Sequence, residues 1–333
     1  MNIKKLLNHN ETYLALVIIV FCMALTIVSP VFLTVDNFAL MAKTSAGTAI
    51  LAIGVFIVML SGGVDVSCTT VAICSQYMTV LFILHSGINN IFVAFGVACT
   101  LGILMGAINA IFISIFKIPV LITTLGTASL FHGAMTQFLG TKSYNVGDIP
   151  QCFKDFGELS LINWTLPNGT PFGLSVFFFI LLALLLLTWF ILRFTMTGRG
   201  IYALGGNPEA AKRAGFNLHK INFFIYCYVG FLAGIMGMIH ISLIFFASPM
   251  HLIGEELMII AAVVLGGTRI SGGTGTLTGT MLGVALIMIL QKNLVLIGLS
   301  SYWQTFFVGL IIVAGVTITN VQNKLKTLKG MGA

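Results

Sequence analysis

Residues 198–221 read GRGIYALGGNPEAAKRAGFNLHKI, a polar island in an otherwise apolar chain. The centre of this stretch predicts a two-turn helix. Asn207 is a good N-cap, and Pro208 suits the first helical position, where its missing N–H is no loss. Glu209 falls at the positive end of the helix dipole, and Lys212 and Arg213 at the negative end. Ala210 and Ala211 fill the middle, and Gly215 stops the helix in the left-handed region. A plain cytoplasmic loop would carry the positive charge alone. Here each residue type agrees with its position, which points to a compact helix presented to a soluble partner.

The island stands out because of its surroundings. The 333 residues are 58% hydrophobic and 8% charged, with a mean hydropathy of +1.07. Soluble domains carry roughly 25% charged residues, so this composition predicts a polytopic inner-membrane protein with almost no room for a soluble domain. The net charge of +7 is spread over apparent loops, which argues against a nucleic-acid partner. The six cysteines contain no CxxC pair, and only Cys152 falls in a predicted outer loop. A disulfide framework is therefore not expected. Lys4 and Lys5 precede an apolar run without a small-residue cleavage site, so this run reads as a first span.

A span needs about 20 mostly apolar residues. Ten candidates fit, at 12–33, 45–62, 67–86, 90–114, 118–139, 172–193, 221–246, 256–270, 275–298 and 302–322. The third, eighth and ninth are short or rich in Gly and Thr, which fits tilted, broken or re-entrant segments. With both termini inside, 12 of the 16 Lys and Arg residues fall on the inner side, as the positive-inside rule requires. Asp36, Asp148, Asp155, Glu158, Glu255 and Glu256 fall outside. The expected architecture is an all-α membrane protein of one domain over 1–333. It carries a cytoplasmic loop at 194–220 and an outer loop at 140–171.

Coupling chemistry is absent from the pattern. Ion-driven carriers usually keep ionisable groups within their spans, whereas here Lys292, beside Gln291 and Asn293, is the main exception. His132 and His240 serve either as helix–helix hydrogen-bond partners or as relays. There is no HExxH, no GxSxG and no GxxxxGK[ST], so neither zinc hydrolysis, a serine nucleophile nor ATP hydrolysis of the P-loop type is predicted. A membrane chain without its own energy source, bearing a docking helix, borrows energy from a separate ATPase.

Two glycine-rich breaks complete the pattern. Ser61-Gly62-Gly63-Val64-Asp65-Val66-Ser67 ends the second span, and Ser271-Gly272-Gly273 follows the eighth. Breaks of this kind free backbone groups that line a cavity or find polar neighbours, and transporters built from repeats place their pathways there. Asp65 is either the cap of a tight turn or a polar gate residue.

The chain resembles the membrane permease subunits of bacterial ATP-binding-cassette importers for simple sugars, the ribose/xylose/galactose type. The resemblance covers most of the chain. It rests on SGGVDVS at 61–67, IPVLITTLGT at 118–127, GRGIYALGGNPEAAKRAG at 198–215 and AAVVLGGTRISGGTGTLTGTMLG at 261–283, in that order. It implies roughly ten spans with both termini inside, and a location in the bacterial inner membrane. The implied partners are two ATPase subunits, a second permease subunit (a copy or a paralogue) and an external solute-binding protein. ATP and magnesium would sit on the ATPase, with no cofactor or metal in this chain. The 207–215 helix corresponds to the coupling helix of that family. The family often continues its first motif as Ser-Val-Gly, whereas Ser67 is followed here by Cys68-Thr69-Thr70; this puts the local helix break in question, and with it the substrate preference.

The mechanism implied is alternating access. The outer loop 140–171, either a connector or a landing surface, offers Asp148, Asp155 and Glu158 to the binding protein, joined by Glu255 and Glu256. Ser61, Gly62, Gly63, Asp65, Ser67, Ser271, Gly272 and Gly273 are the candidate pathway residues. Competing readings are another solute of the same superfamily (a nucleoside, a branched-chain amino acid or a furanosyl signal molecule), a gradient-driven carrier, and a membrane enzyme.

Overall fold

The computed structural model describes residues 10–165 and 171–293, with single positions 303, 306, 309, 310, 313 and 317 beyond them. Most of the tenth predicted span, the end of the ninth and the terminal lysines Lys4, Lys5, Lys324, Lys326 and Lys329 lie outside the described residues.

Five helices come first: α1 (Asn10–Val28), α2 (Val35–Leu60), α3 (Cys68–Ser86), α4 (Ile91–Ser114) and α5 (Val120–Leu139). The segment after α5 then holds α6 (Gln151–Glu158), β1 (Ser160–Thr165) and β2 (Pro171–Ser175). After it come α7 (Val176–Phe194), α8 (Met196–Gly206), α9 (Pro208–Arg213), α10 (Leu218–Ile244), α11 (Glu256–Leu265) and α12 (Leu277–Asn293). Among the described residues, α1, α2, α3, α4, α7 and α10 are long and apolar enough to cross a membrane. Helix α5 is as long as α3, but its Thr, Ser, Gly and His residues lower its hydropathy.

The third predicted span is one unbroken helix, α3. The eighth is not a full span. With ten residues at 1.5 Å each, α11 is about 15 Å long, half of a bilayer's apolar thickness. It runs antiparallel to α12: Gly266 meets Gly279, Ala262 meets Gly283, and Gln291 Nε2 donates to Met258 Sδ. The expectation of an all-α chain also needs correction. The segment between α5 and α7 contains a pair of antiparallel strands in which Trp164 pairs with Phe172 and Thr165 with Pro171. Its first strand, SLINWT, carries β-branched and aromatic residues that favour a pleated surface.

The middle of the bundle is α2, α3 and α10, all mostly buried, with the polar Ser75, Gln76 and Thr79 of α3 enclosed among apolar neighbours. Glycines let α4 and α10 approach until their backbones touch. A Cβ on Gly102 would stand 2.1 Å from the Gly230 carbonyl oxygen, and one on Gly106 2.1 Å from that of Tyr226. A Cβ on Gly234 would stand 2.5 Å from the Ala98 oxygen. Gly102/Gly106 and Gly230/Gly234 thus form two small-xxx-small faces, the arrangement that packs helices in lipid by van der Waals contact.

Candidate functional site

Helix α9 is built as its residues dictate. The Asn207 side chain accepts from Ala210 N at 3.0 Å, and Pro208 occupies the first turn. At the other end Gly215 has φ +86°, and Phe216 N donates to Ala211 O at 3.1 Å, closing the helix with a Schellman turn. Ala211 is buried, whereas Ala210, Glu209, Lys212 and Arg213 are exposed. Glu209 and Lys212, three residues apart on α9, and Phe216 beyond its closing turn line a cavity shared with the ends of α4 and α10. Arg213 is not among the cavity residues, so the charged positions of this helix divide between two faces.

The chain leading into α9 is itself a helix. Residues 196–206, read above as part of a loop, form α8, whose N-cap Thr195 accepts from Gly198 N at 3.1 Å. The Tyr202 hydroxyl donates to Gly275 O at 3.4 Å, and burial pushes this phenol above its ordinary range. At the end of α8 three glycine segments converge. Gly273 N donates to Leu60 O at 2.9 Å. A Cβ on Gly205 would lie 1.8 Å from Leu60 O and 2.5 Å from Gly273 N. One on Gly272, itself at φ +87°, would lie 2.7 Å from Gly62 Cα. The two Ser-Gly-Gly breaks therefore meet each other, and both meet the residues just before α9. Neither contact is legible in sequence, where the Gly205–Gly206 pair is simply part of the polar island.

From this junction the segment Gly63–Ser67 leads to the start of α3. A Cβ on Gly63 would press on Val120, at the start of α5. Asp65, 1% exposed, accepts from Ser67 N and from Ser67 Oγ, each at 2.7 Å. Ser67 Oγ in turn accepts from Asn109 Nδ2 at 2.8 Å, and Thr124 Oγ1 accepts from Val66 N at 3.3 Å. The turn reading of Asp65 thus has a concrete geometry, extended by Asn109 and Thr124, which the sequence did not single out. The break between α2 and α3 is present although Thr69 replaces the family's glycine, and the Thr69 hydroxyl donates to Glu256 at 3.0 Å.

This bears on stability. Asp65→Ala leaves both Ser67 donors without an acceptor, at a cost of about 2 kcal/mol or more. Asp65→Asn keeps one acceptor oxygen and is expected to cost less than half as much. Thermal unfolding in detergent checks the order of the two variants.

The acids expected on the outer side divide as well. Asp148 accepts from Asn145 N, and Asp155 from Gln151 Nε2. Asp148, Asp155, Glu158 and Glu255 are exposed. Glu256 is instead drawn in at the start of α11, accepting from Thr69 Oγ1 and Gly254 N. A backbone bridge between Tyr144 and Ala247 ties the 140–148 stretch to the loop after α10. His240 meets Gln76 Oε1 at 2.9 Å, a helix–helix hydrogen bond. Cys152 is a free thiol.

Residues 37–316 match the protein family described as the branched-chain amino acid transport system / permease component. The chain is 30% identical to the ribose import permease protein RbsC of Escherichia coli (strain K12) over 318 residues, 95% of either chain. It is 31% identical to that of Haemophilus influenzae over 323 residues, 96% of this chain and 95% of the relative. The autoinducer 2 import system permease protein LsrC of Enterobacter sp. (strain 638) is 31% identical over 310 residues, 93% of this chain and 86% of the relative. No solved structure matches the chain.

Proposed function

The chain belongs to the family of branched-chain amino acid transport system permease components, and on that premise we propose that it moves a monosaccharide, a pentose or a hexose, inward across the bacterial inner membrane. It does so as the permease subunit of an ATP-binding-cassette importer. The chain forms one membrane domain over 1–333, with nine full spans, the short eighth segment α11 and both termini cytoplasmic. An external binding protein delivers the sugar to the outer loops, where Asp148, Asp155, Glu158 and Glu255 are exposed. Two separate ATPase subunits bind ATP and magnesium. A second permease subunit, a copy or a paralogue, completes the pathway.

The observation that carries this reading is the position of α9. It is capped at both ends, and the glycines before it pack on both breaks, Gly62 and Gly272–Gly273. A push on α9 therefore has a short backbone route to α2, α3 and the α11–α12 hairpin. Such movement can expose the sugar to alternate sides, in the manner of repeat-built transporters.

The first test is a mild-detergent pull-down from the native host. A stoichiometric P-loop ATPase is expected in the eluate, and reconstituted vesicles should take up sugar only with ATP and the binding protein. Uptake driven by an ion gradient, with no ATPase recovered, would overturn the proposal. The resemblance to an autoinducer 2 permease at the same identity supports a second reading, a furanosyl signal molecule as solute. Uptake competition between the two solutes decides between them.

A further inference from the structure

Beside α9 lies a cavity of about 500 Å³, a size typical of small-ligand sites. Its polar walls are Ser114 and Lys117 after α4, Glu209 and Lys212 on α9, and His219 and Asn222 at the start of α10. Neither lysine has an ion-pair partner among the described residues. Ser114 Oγ and His219 Nδ1 are 2.8 Å apart, which holds the imidazole at the wall. The 27-residue α10 begins at this cavity and the 24-residue α4 ends at it, so the two helix dipoles oppose each other there and the side chains set the sign of the potential. Against two lysines stands one carboxylate, Glu209.

The neighbourhood of the cavity is apolar and exposed. Ile115 and Phe116, just before Lys117, are 57% and 63% exposed, and Ile122 on the first turn of α5 is 63% exposed. At the ends of membrane helices, such a surface belongs against acyl chains, and a cationic hollow beside it stands at the level of lipid headgroups.

The backbone of Lys117 gives a third, independent observation. The chain after α4 tightens, with Phe116 N donating to Ile111 O and Ile118 N to Phe112 O. Lys117 is thereby held at φ 55°, in the left-handed region where glycine is the favoured residue. A strained position that carries lysine in place of glycine points to a use for the side chain.

We infer that this cavity binds the headgroup of an anionic phospholipid. Lys117 and Lys212 take the phosphodiester. Glu209 and Asn222 take hydroxyls of a polyhydroxyl headgroup, as in phosphatidylglycerol. Because Glu209 and Lys212 belong to α9, a seated headgroup ties that helix to the membrane surface. This last consequence rests on the coupling reading of α9; the lipid binding does not.

The test uses the delipidated full-length protein and native mass spectrometry, with phosphatidylglycerol, phosphatidylcholine and inorganic phosphate as probes. Phosphatidylglycerol is expected to be retained in preference to phosphatidylcholine. K117Q/K212Q should lower its retention about 30-fold, from roughly fivefold per interfacial lysine. K117G should lose about fivefold while melting no earlier than the parent, because glycine relieves the backbone; this separates lost binding from lost folding. K154Q, on the outer face, should change nothing. Equal retention by the parent and K117Q/K212Q overturns the inference, as does equal retention of the two lipids. Full displacement by equimolar inorganic phosphate assigns the cavity to a free anion and also overturns it. So does a carbodiimide cross-link from Lys117 to a carboxylate of a co-purified ATPase with lipid retention unaffected, because the cavity then belongs to a protein partner. If no ATPase co-purifies but the lipid result holds, only the coupling reading fails.

Discussion

Gly230→Ala is expected to destabilise the isolated protein by about 3 kcal/mol or more. A methyl group at this position would stand 2.0 Å from the Gly102 carbonyl oxygen and 2.7 Å from its carbon. Both contacts are backbone, so no side chain can swing away. Helices α4 and α10 must part by about 1 Å, and the contacts of Gly106 and Gly234 on either side loosen with them. Overpacking usually costs about 1–3 kcal/mol, and a rigid backbone clash at the centre of a bundle belongs at or above the top of that range. In lipid there is little hydrophobic force to restore the pair, because the association rests on close packing. Fluorescence-detected size exclusion before and after heating checks this result. Gly96→Ala on the same α4 is the control, since a methyl there meets nothing within 4 Å; it should be neutral or gain up to about 1 kcal/mol of helix propensity. Adding Gly102→Ala to Gly230→Ala should cost less than its single effect, because the two positions share one contact. A stable, monodisperse Gly230→Ala protein would mean that the helices do not touch as described.

Gly205→Ala is expected to separate ATPase binding from transport. The added methyl would lie 1.8 Å from Leu60 O and 2.5 Å from Gly273 N, the two atoms that form the hydrogen bond between the ends of α2 and the 268–275 loop. One atom therefore pries apart the junction between α8, α2 and the second break. Helix α9 is untouched: its Asn207 cap, Pro208 and Gly215 closure lie beyond the substitution. The ATPase should still co-purify, while ATP-driven uptake should fall by about fivefold or more, from a steric cost of roughly 1–3 kcal/mol at the moving joint. Gly206→Ala, one residue on, meets nothing within 4 Å and should transport like the parent. Equal uptake by the two variants would show that the junction does not carry the motion. Loss of ATPase from Gly205→Ala alone would instead show that it positions α9 for docking.

What was legible in the sequence is what depends on near neighbours. The α9 caps are contacts across three to five residues, so Asn207, Pro208 and Gly215 announce them directly. Long apolar helices are legible for the same reason, as are the breaks at Ser61–Gly63 and Ser271–Gly273. The strand pair Ser160–Thr165 and Pro171–Ser175 is not legible, because a short polar and aromatic stretch between spans reads equally well as a connector. Charge counting put Glu256 among the exposed outer acids; its engagement with Thr69, 187 residues away in the chain, is a contact that no local pattern carries.

The sequence by itself determined that this is a multi-pass permease-type chain with a capped, charged helix at 207–215, because burial in lipid, capping and glycine punctuation are properties of a segment and its solvent. Only the tertiary structure decided that Gly62, Gly205 and Gly272 meet, that Gly102 faces Gly230, that α11 doubles back on α12, and that Lys117 and Lys212 share one cavity. Each of these is a contact between segments far apart in the chain. A glycine states that a close approach is possible, and only the packed bundle states with whom.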